Sequence, residues 1–266
     1  MKMDVVILGC GFTGVRVARR MLARGARVSV TSRKRVEIAG ASAHELDFDD
    51  PAALAKLAGI LTPGCLVLHS VPTLPAGADA ALVHALGAFP ARVVYLSTTS
   101  VYGAALSVDE TTPPMPRSVR VCARLETEAA VQSGRWSSLV LRPAAIYGPG
   151  RGVHKAMRNG SFRLLGDGSN FVSRIHVDDL AAHAEAALLS DVQGAFPVAD
   201  AHACPSREIA AYCANLLGLP MPASASLLKI PSSRRNNRRV DGSAIRKLLG
   251  LTLAYPSYEQ GIPASL

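Results

Sequence analysis

Three glycines spaced as Gly9-x-Gly11-x-x-Gly14 constrain the fold of this chain more than any other feature, because they join a strand-like run directly to a helix-like one. Val5-Val6-Ile7-Leu8 is mostly β-branched, and Val15 to Leu22 keeps apolar residues on one helical face while its arginines point away. In such a corner the first glycine permits the tight turn, the second lets backbone approach a pyrophosphate, and the third lets helix and strand pack closely. The anion then rests on amides of the helix N-terminus. An isolated glycine motif is weak evidence, but here a strand precedes it, a helix follows, and further strands recur at the expected spacing.

The second strand, Arg27 to Thr31, runs into Ser32-Arg33-Lys34-Arg35 with no carboxylate. An acid there would bind the ribose 2′-hydroxyl of NAD, whereas arginine neutralises the 2′-phosphate of NADP. NADP is therefore the expected cofactor, with NAD the alternative. The competing reading of Arg33 to Arg35 is a solvated basic start to the next helix.

Further strands are expected at Ala43–Leu46, Cys65–His69, Arg92–Ser97 and Ser137–Arg142, and a later one at Ala195–Val198. Helices are expected from about Pro51, at Asp79–Ala88, Arg117–Gln132, Val177–Leu189 and Ser206–Leu217. That alternation predicts an α/β, doubly wound parallel-sheet Rossmann fold. Residues 1–142 would form the nucleotide-binding domain. Residues 143–266 would be mainly a small substrate-binding region, irregular after Pro143, with segments around 176–200 returning to the sheet.

Other classes are disfavoured. A hydrophobic fraction of 49% over 266 residues is too high for disorder. Lys56, Gly59 and Pro63 interrupt the most apolar segment, so no membrane span is expected. The chain enters its first strand at once, which leaves no room for a signal peptide. Cys10, Cys65, Cys122, Cys204 and Cys213 match neither a disulfide framework nor a metal spacing, so a reduced, cytoplasmic protein without metal is expected. A net charge of +9 permits acidic ligands and nucleic acid, but no nucleic-acid motif accompanies it. The dense run Arg234-Arg235-Asn236-Asn237-Arg238-Arg239 reads as a solvated loop or edge strand, with contact to a substrate phosphate or carboxylate as the alternative.

Five separated motifs occur in order: Gly9 to Gly14, Ser97-Thr98-Thr99-Ser100-Val101-Tyr102-Gly103, Leu141 to Gly150, Arg174-Ile175-His176-Val177-Asp178-Asp179-Leu180-Ala181, and Tyr255-Pro256-Ser257-Tyr258. On these the chain resembles, over essentially its full length, the extended short-chain dehydrogenase/reductase family, its NAD-dependent epimerase/dehydratase group, and within that the small YeeZ-type bacterial branch. The resemblance implies that Phe12 and Thr13 share in the phosphate corner, that Asp47 and Phe48 lie beside an adenine, and that His69-Ser70-Val71 passes under the cofactor. It puts Thr98 at the catalytic Ser/Thr position, against the simpler reading of a capped strand end.

The departure from the family is its Tyr-x-x-x-Lys pair. Counting back from Glu128 places Arg124 at the lysine and Arg120 at the tyrosine, and no tyrosine lies between Tyr102 and Tyr147. Arg124 could orient the nicotinamide ribose and Arg120 an anion or oxyanion, although guanidinium cannot act as an ordinary acid or base. The alternative for Arg124 and Glu128 is an exposed ion pair. Tyr102 and Tyr147 are candidate proton donors that could equally be packing residues. Arg151 and Arg174 are candidate substrate contacts. His176 is expected to be structural, bonded to a backbone carbonyl, and His154 is a weaker site candidate. Two readings of function follow: an NADP(H)-dependent oxidoreductase acting on a small, anionic carbonyl, alcohol or imine, or a non-catalytic NADP-binding sensor or partner-binding protein. A homodimer is compatible with either.

Overall fold

In the computed structural model, which describes residues 2–74, 77–226 and 237–266, the β-branched runs form strands and the amphipathic runs form helices. Strands β1 (Asp4–Leu8), β2 (Arg27–Ser32), β3 (Ala41–Glu45), β4 (Cys65–His69) and β5 (Pro90–Leu96) alternate with helices α1 (Gly14–Ala23), α2 (Pro51–Ala58) and α3 (Ala78–Ala85). The short β6 (Ser107–Val108) precedes α4 (Val119–Gln132), β7 (Ser137–Pro143), β8 (Ala145–Tyr147), α5 (Val153–Arg158), β9 (Leu164–Leu165), β10 (Phe171–Val172) and β11 (Arg174–His176). Then come α6 (Val177–Leu189), β12 (Gly194–Val198), β13 (Cys204–Pro205), α7 (Ser206–Leu217), β14 (Ser224–Ala225), β15 (Arg239–Val240), α8 (Ser243–Leu248) and α9 (Tyr258–Gly261).

The main sheet has seven strands in the order β12-β7-β5-β4-β1-β2-β3. β1 runs parallel to β2 and β4, β2 to β3, β4 to β5, and β5 to β7. The chain winds outward from β1 to β3 and then returns to the other side of β1 with β4, so the order reverses between β1 and β4. Open α/β sheets bind ligands at that reversal, outside the carboxyl ends of the strands. Internal contacts divide the chain into two compact units. One comprises Met1–Val101, Pro116–Arg142 and Ala181–Ala195, and the other Tyr102–Met115, Pro143–Leu180 and Phe196–Leu266. No helix among the described residues is long and apolar enough to cross a membrane.

In the first unit, Val6, Leu8, Val67, Val93 and Val140 of the strands bury against Leu57 of α2, Leu82 of α3 and Val131 of α4. Each such side chain, fully buried, contributes about 1.5–3 kcal/mol. Local signals set the helix starts: Asp50 accepts from the Ala52 amide at 2.9 Å with Pro51 beginning α2. Ser118 is extended and caps α4, which therefore begins at Val119 instead of the expected Arg117. Helix α3 stops at Ala85, short of the expected Ala88, because Gly87 takes a left-handed φ of 58°.

Two buried charged groups show how the interior satisfies them. Glu128, 2% exposed, accepts Arg142 Nη2 at 2.6 Å and Nε at 3.2 Å to both oxygens, and also the Ser97 hydroxyl. Arg92, 3% exposed, donates to the Ala187 and Val192 carbonyls at 2.6 Å each, holding the end of α6.

The second unit corrects the expectation of irregular chain after Pro143. Four two-stranded ladders satisfy its backbone: β8 with β11, β9 with β14, β10 with β13 and β6 with β15. Tyr147, Met157, Leu164, Ile209, Cys213, Tyr258 and Ile262 form its core. Arg234, Arg235 and Asn236 of the basic run lie outside the described residues. Arg239 is the expected edge-strand residue, its guanidinium 3.4 Å from the Phe171 ring centroid. Arg238 is not solvated: it is buried, and its guanidinium donates to the carbonyls of Ala105 and Gly103.

Glu128→Leu strands Arg142 without its carboxylate, and a loss of about 3–5 kcal/mol in urea unfolding is expected. In the second unit, Asp200 accepts the His202 amide at 3.1 Å through one oxygen while the other has no partner, and burial pushes its carboxyl up to about 7. The fold thus holds a proton that the unfolded chain releases near about pH 4. Its stabilising contribution is full below that pH and is lost as pH rises to about 7. Asp200→Asn is therefore expected to raise the melting temperature at pH 8 and to change it little at pH 4.

Candidate functional site

The glycine corner stands at the strand reversal. Gly9 has φ 82°, and a Cβ there would meet Ser70 and the Val71 amide nitrogen at 2.9 Å, so the exits of β1 and β4 touch only because residue 9 is glycine. A Cβ on Gly14 would meet the Gly9 carbonyl oxygen at 2.9 Å, which accounts for the close helix–strand approach. At Gly11 a Cβ would meet nothing within 4 Å. That open space over the turn is what close approach of a ligand requires. Thr13, the N-cap of α1, makes no side-chain capping bond, and the Val15 and Arg16 amides turn back to the Gly11 and Thr13 carbonyls at 3.0 Å each. Cys10 is buried and its thiol is pushed up to about 11 by burial, as expected of a packing residue. These residues fit a dinucleotide pyrophosphate.

At the end of β2, the Ser32 hydroxyl donates to the Lys34 carbonyl, Arg33 is exposed, and Arg35 pairs with Glu37 at 3.2 Å. Strand register places Glu45 of β3 beside Ser32. Sequence reading missed this carboxylate, since only strand pairing brings it to the end of β2. Asp47 accepts the Asp49 amide at 3.2 Å in an exposed turn, whereas the Phe48 ring is core, so only its backbone is available to an adenine.

Beyond β4, His69 is fully buried, its ring 4.7 Å from that of Tyr95, and burial, reinforced by Arg124, holds its imidazole down at about 3. His69 Nδ1 accepts the Val71 amide at 3.4 Å. Arg124, 8% exposed, donates to the Tyr95 hydroxyl at 2.5 Å and to the Val71 carbonyl at 3.4 Å. The exposed Arg124–Glu128 pair anticipated from spacing does not form. Both groups turn inward, where Arg124 finds Tyr95 and Glu128 finds Arg142. Tyr95 was not singled out from sequence, because a tyrosine in a buried strand carries no local signal; burial pushes its phenol up to about 12. Arg120 is exposed, one turn before Arg124. Thr98 is half-buried, and its hydroxyl oxygen accepts the Ser100 amide at 3.2 Å.

In the second unit, Tyr102 is fully buried, and Tyr147 is 3% exposed with its hydroxyl donating to the Ser257 carbonyl at 3.2 Å. Burial and nearby Asp200 and Asp179 raise the Tyr147 phenol. Arg151 is exposed in a turn closed by reciprocal backbone bonds with Gly148. Arg174 is 5% exposed and donates to the Val172 carbonyl at 2.6 Å and to Cys204 Sγ at 3.3 Å. His176 is structural, but the backbone group at its Nδ1 is the Asp178 amide at 3.2 Å, in place of the expected carbonyl. Its Nε2 then donates to Ser265 at 3.2 Å, which in turn donates to the Gly261 carbonyl. A cavity of about 830 Å³ lies within this unit, lined by Tyr147, His154 and Arg174 among others.

Residues 75–198 match the NAD dependent epimerase/dehydratase family. Protein YeeZ of Escherichia coli (strain K12) is 30% identical over 278 residues, covering 95% of this chain and 96% of YeeZ. A 3-diazoavenalumate denitrifying reductase from Streptomyces sp. is 29% identical over 231 residues, covering 80% of this chain and 73% of the reductase. A conserved protein of unknown function from Silicibacter pomeroyi DSS superposes with a TM-score of 0.82 at 31% identity, over 99% of this chain and 98% of that one. The UDP-glucose 4-epimerase of Thermus thermophilus, solved with NAD, shares the fold at TM-score 0.83 and 19% identity, over 99% and 97% of the two chains. The glycine corner at the strand reversal, with 30% identity to YeeZ across almost all of both chains, makes this chain a member of the NAD-dependent epimerase/dehydratase family.

Proposed function

We propose that the protein is an NADP(H)-dependent oxidoreductase acting on a small anionic carbonyl, alcohol or imine. The observation that carries this reading is the glycine corner, packed against the β4 exit and open at Gly11. The similarity to a named reductase at 29% identity supports reduction over epimerisation. Exposed Arg33 supports NADP, while Glu45 beside Ser32 is the group that would favour NAD. Five free cysteines suit a reducing, cytoplasmic setting.

When bound, the nicotinamide supplies the hydride chemistry, and the chain's residues orient and polarise. Thr98 offers a hydroxyl to the reacting oxygen. Arg124 braces the Val71 carbonyl and Tyr95, so its role is to hold the segment that runs under the cofactor. Arg120, with an exposed guanidinium, is the anion-facing member of the pair. A non-catalytic NADP sensor is the second reading. It is favoured by the engagement of Arg124 with Tyr95 and of Tyr147 with Ser257, which leaves neither in the role of the family's tyrosine or lysine.

Calorimetric titration is expected to show NADPH binding at least about tenfold tighter than NADH, the worth of one charge-assisted phosphate contact. Arg33→Glu is expected to erase that difference by weakening NADPH alone; tighter NADH binding by the parent chain would transfer the discrimination to Glu45. Thr98→Val is expected to lower turnover of an NADPH-oxidising substrate about a hundredfold with NADPH affinity retained. NADPH binding without turnover on any carbonyl or imine would favour the sensor.

A further inference from the structure

The second unit contains a buried histidine whose ring has nothing to bond. His154, the second residue of α5, is 2% exposed, yet neither Nδ1 nor Nε2 has a hydrogen-bond partner. Buried polar atoms are almost always satisfied, and an unsatisfied one costs about 1–3 kcal/mol. His154 lines the cavity of about 830 Å³, a volume within the range of small-molecule sites. Burial together with the charges of Arg158 and Lys155 lowers the affinity of its imidazole for a proton, against a weaker pull from the Gly148 backbone. The ring is therefore neutral near pH 7, with one nitrogen a donor and the other an acceptor. Such a group suits an uncharged partner.

Arg174 lines the same cavity. Its Nη1 is taken up by the Val172 carbonyl and the Cys204 sulfur, and neither of these partners is a carboxylate. Asp200 and Glu208 lie within electrostatic reach: Asp200 keeps its proton up to about pH 7, whereas Glu208, held below the usual carboxylate range by its bond with His202, is ionised but spends its oxygen on His202 and Tyr258. A buried guanidinium whose hydrogen bonds go to no carboxylate suits one anionic group. Among the described lining residues the other cation is Arg163, which is bonded at 2.7 Å to the Gly160 and Phe162 carbonyls. Between the polar positions the walls are branched and apolar: Ile146, Val153, Ile209 and Ile262.

We infer that this cavity takes an amphipathic aromatic acid, with its single carboxylate on Arg174, its ring between the branched side chains and an uncharged hydroxyl or amide on His154. Among the described residues the cavity has one buried cation, whereas a nucleoside diphosphate sugar would bring two phosphates. The assignment rests on the oxidoreductase reading for the chemistry that follows, but binding requires no cofactor, so the two can fail separately.

The test is calorimetry of the full chain without cofactor, using p-coumarate, cinnamate (which lacks the phenol) and UDP-glucose. p-Coumarate is expected to bind once per chain, and cinnamate about tenfold more weakly, the worth of one hydrogen bond. His154→Leu is expected to weaken p-coumarate by the same factor, to leave cinnamate unchanged, and to keep or raise the melting temperature, because it removes two unsatisfied nitrogens. Arg174→Gln is expected to weaken both acids at least tenfold. Arg174→Lys, which retains the charge should the glutamine variant misfold, is expected to weaken them less. Tighter UDP-glucose binding that displaces p-coumarate, or failure of p-coumarate to bind, would overturn the inference. So would p-coumarate affinity that is indifferent to His154→Leu. NADPH titration of the same preparation reads the oxidoreductase proposal independently.

Discussion

The contact on which the nucleotide half depends is the one between Gly9 and the Ser70–Val71 backbone. A parallel sheet whose order reverses between β1 and β4 leaves a crevice at their carboxyl ends, and that crevice binds a ligand only if the two strand exits lie close together. The 2.9 Å approach leaves no space for a side chain, and the φ of 82° suits none. Everything placed after β4 inherits its position from that contact: His69 turned into the interior, Val71 within reach of Arg124, and the open face over Gly11.

The first unit then places several basic residues inside. Arg92, Arg124 and Arg142 are each at most 8% exposed, and each is neutralised or bonded differently. Arg142 has the Glu128 carboxylate, Arg92 has helix-end carbonyls, and Arg124 has a phenol and a carbonyl. Arg124 has no carboxylate among those partners, and its charge adds to burial in keeping His69 neutral. Arg124 Nη1 donates to both Tyr95 and Val71, so the residue braces the chain that leaves β4.

The second unit is held by short ladders and by side chains that bind backbone. Arg238 reaches the carbonyls of Gly103 and Ala105, His176 connects Asp178 to Ser265, and Tyr147 holds Ser257. His154 stands out against that background, a buried ring with both nitrogens unsatisfied among side chains that find their partners in nearby backbone.

The strands, the helices between them and the parallel sheet were legible in the sequence because their periodicities are local: β4, α6 and α7 begin and end where hydropathy and turn residues place them. So was the phosphate corner, whose glycine spacing encodes a backbone geometry directly. The short ladders were not legible, since Ser107–Val108 pairs with Arg239–Val240 from the far end of the chain and two residues carry no period. Nor were the partners of the buried charges. Spacing of four offered Arg124 to Glu128 as neighbours on a helix, but burial made each seek a better-desolvated partner across the fold. By itself the sequence determined the fold, the family and the nucleotide corner, because these depend on backbone conformation and local pattern. Only the tertiary structure decided which arginines face inward, that Glu45 stands beside Ser32 and that His154 lines a cavity, because those follow from which distant segments meet.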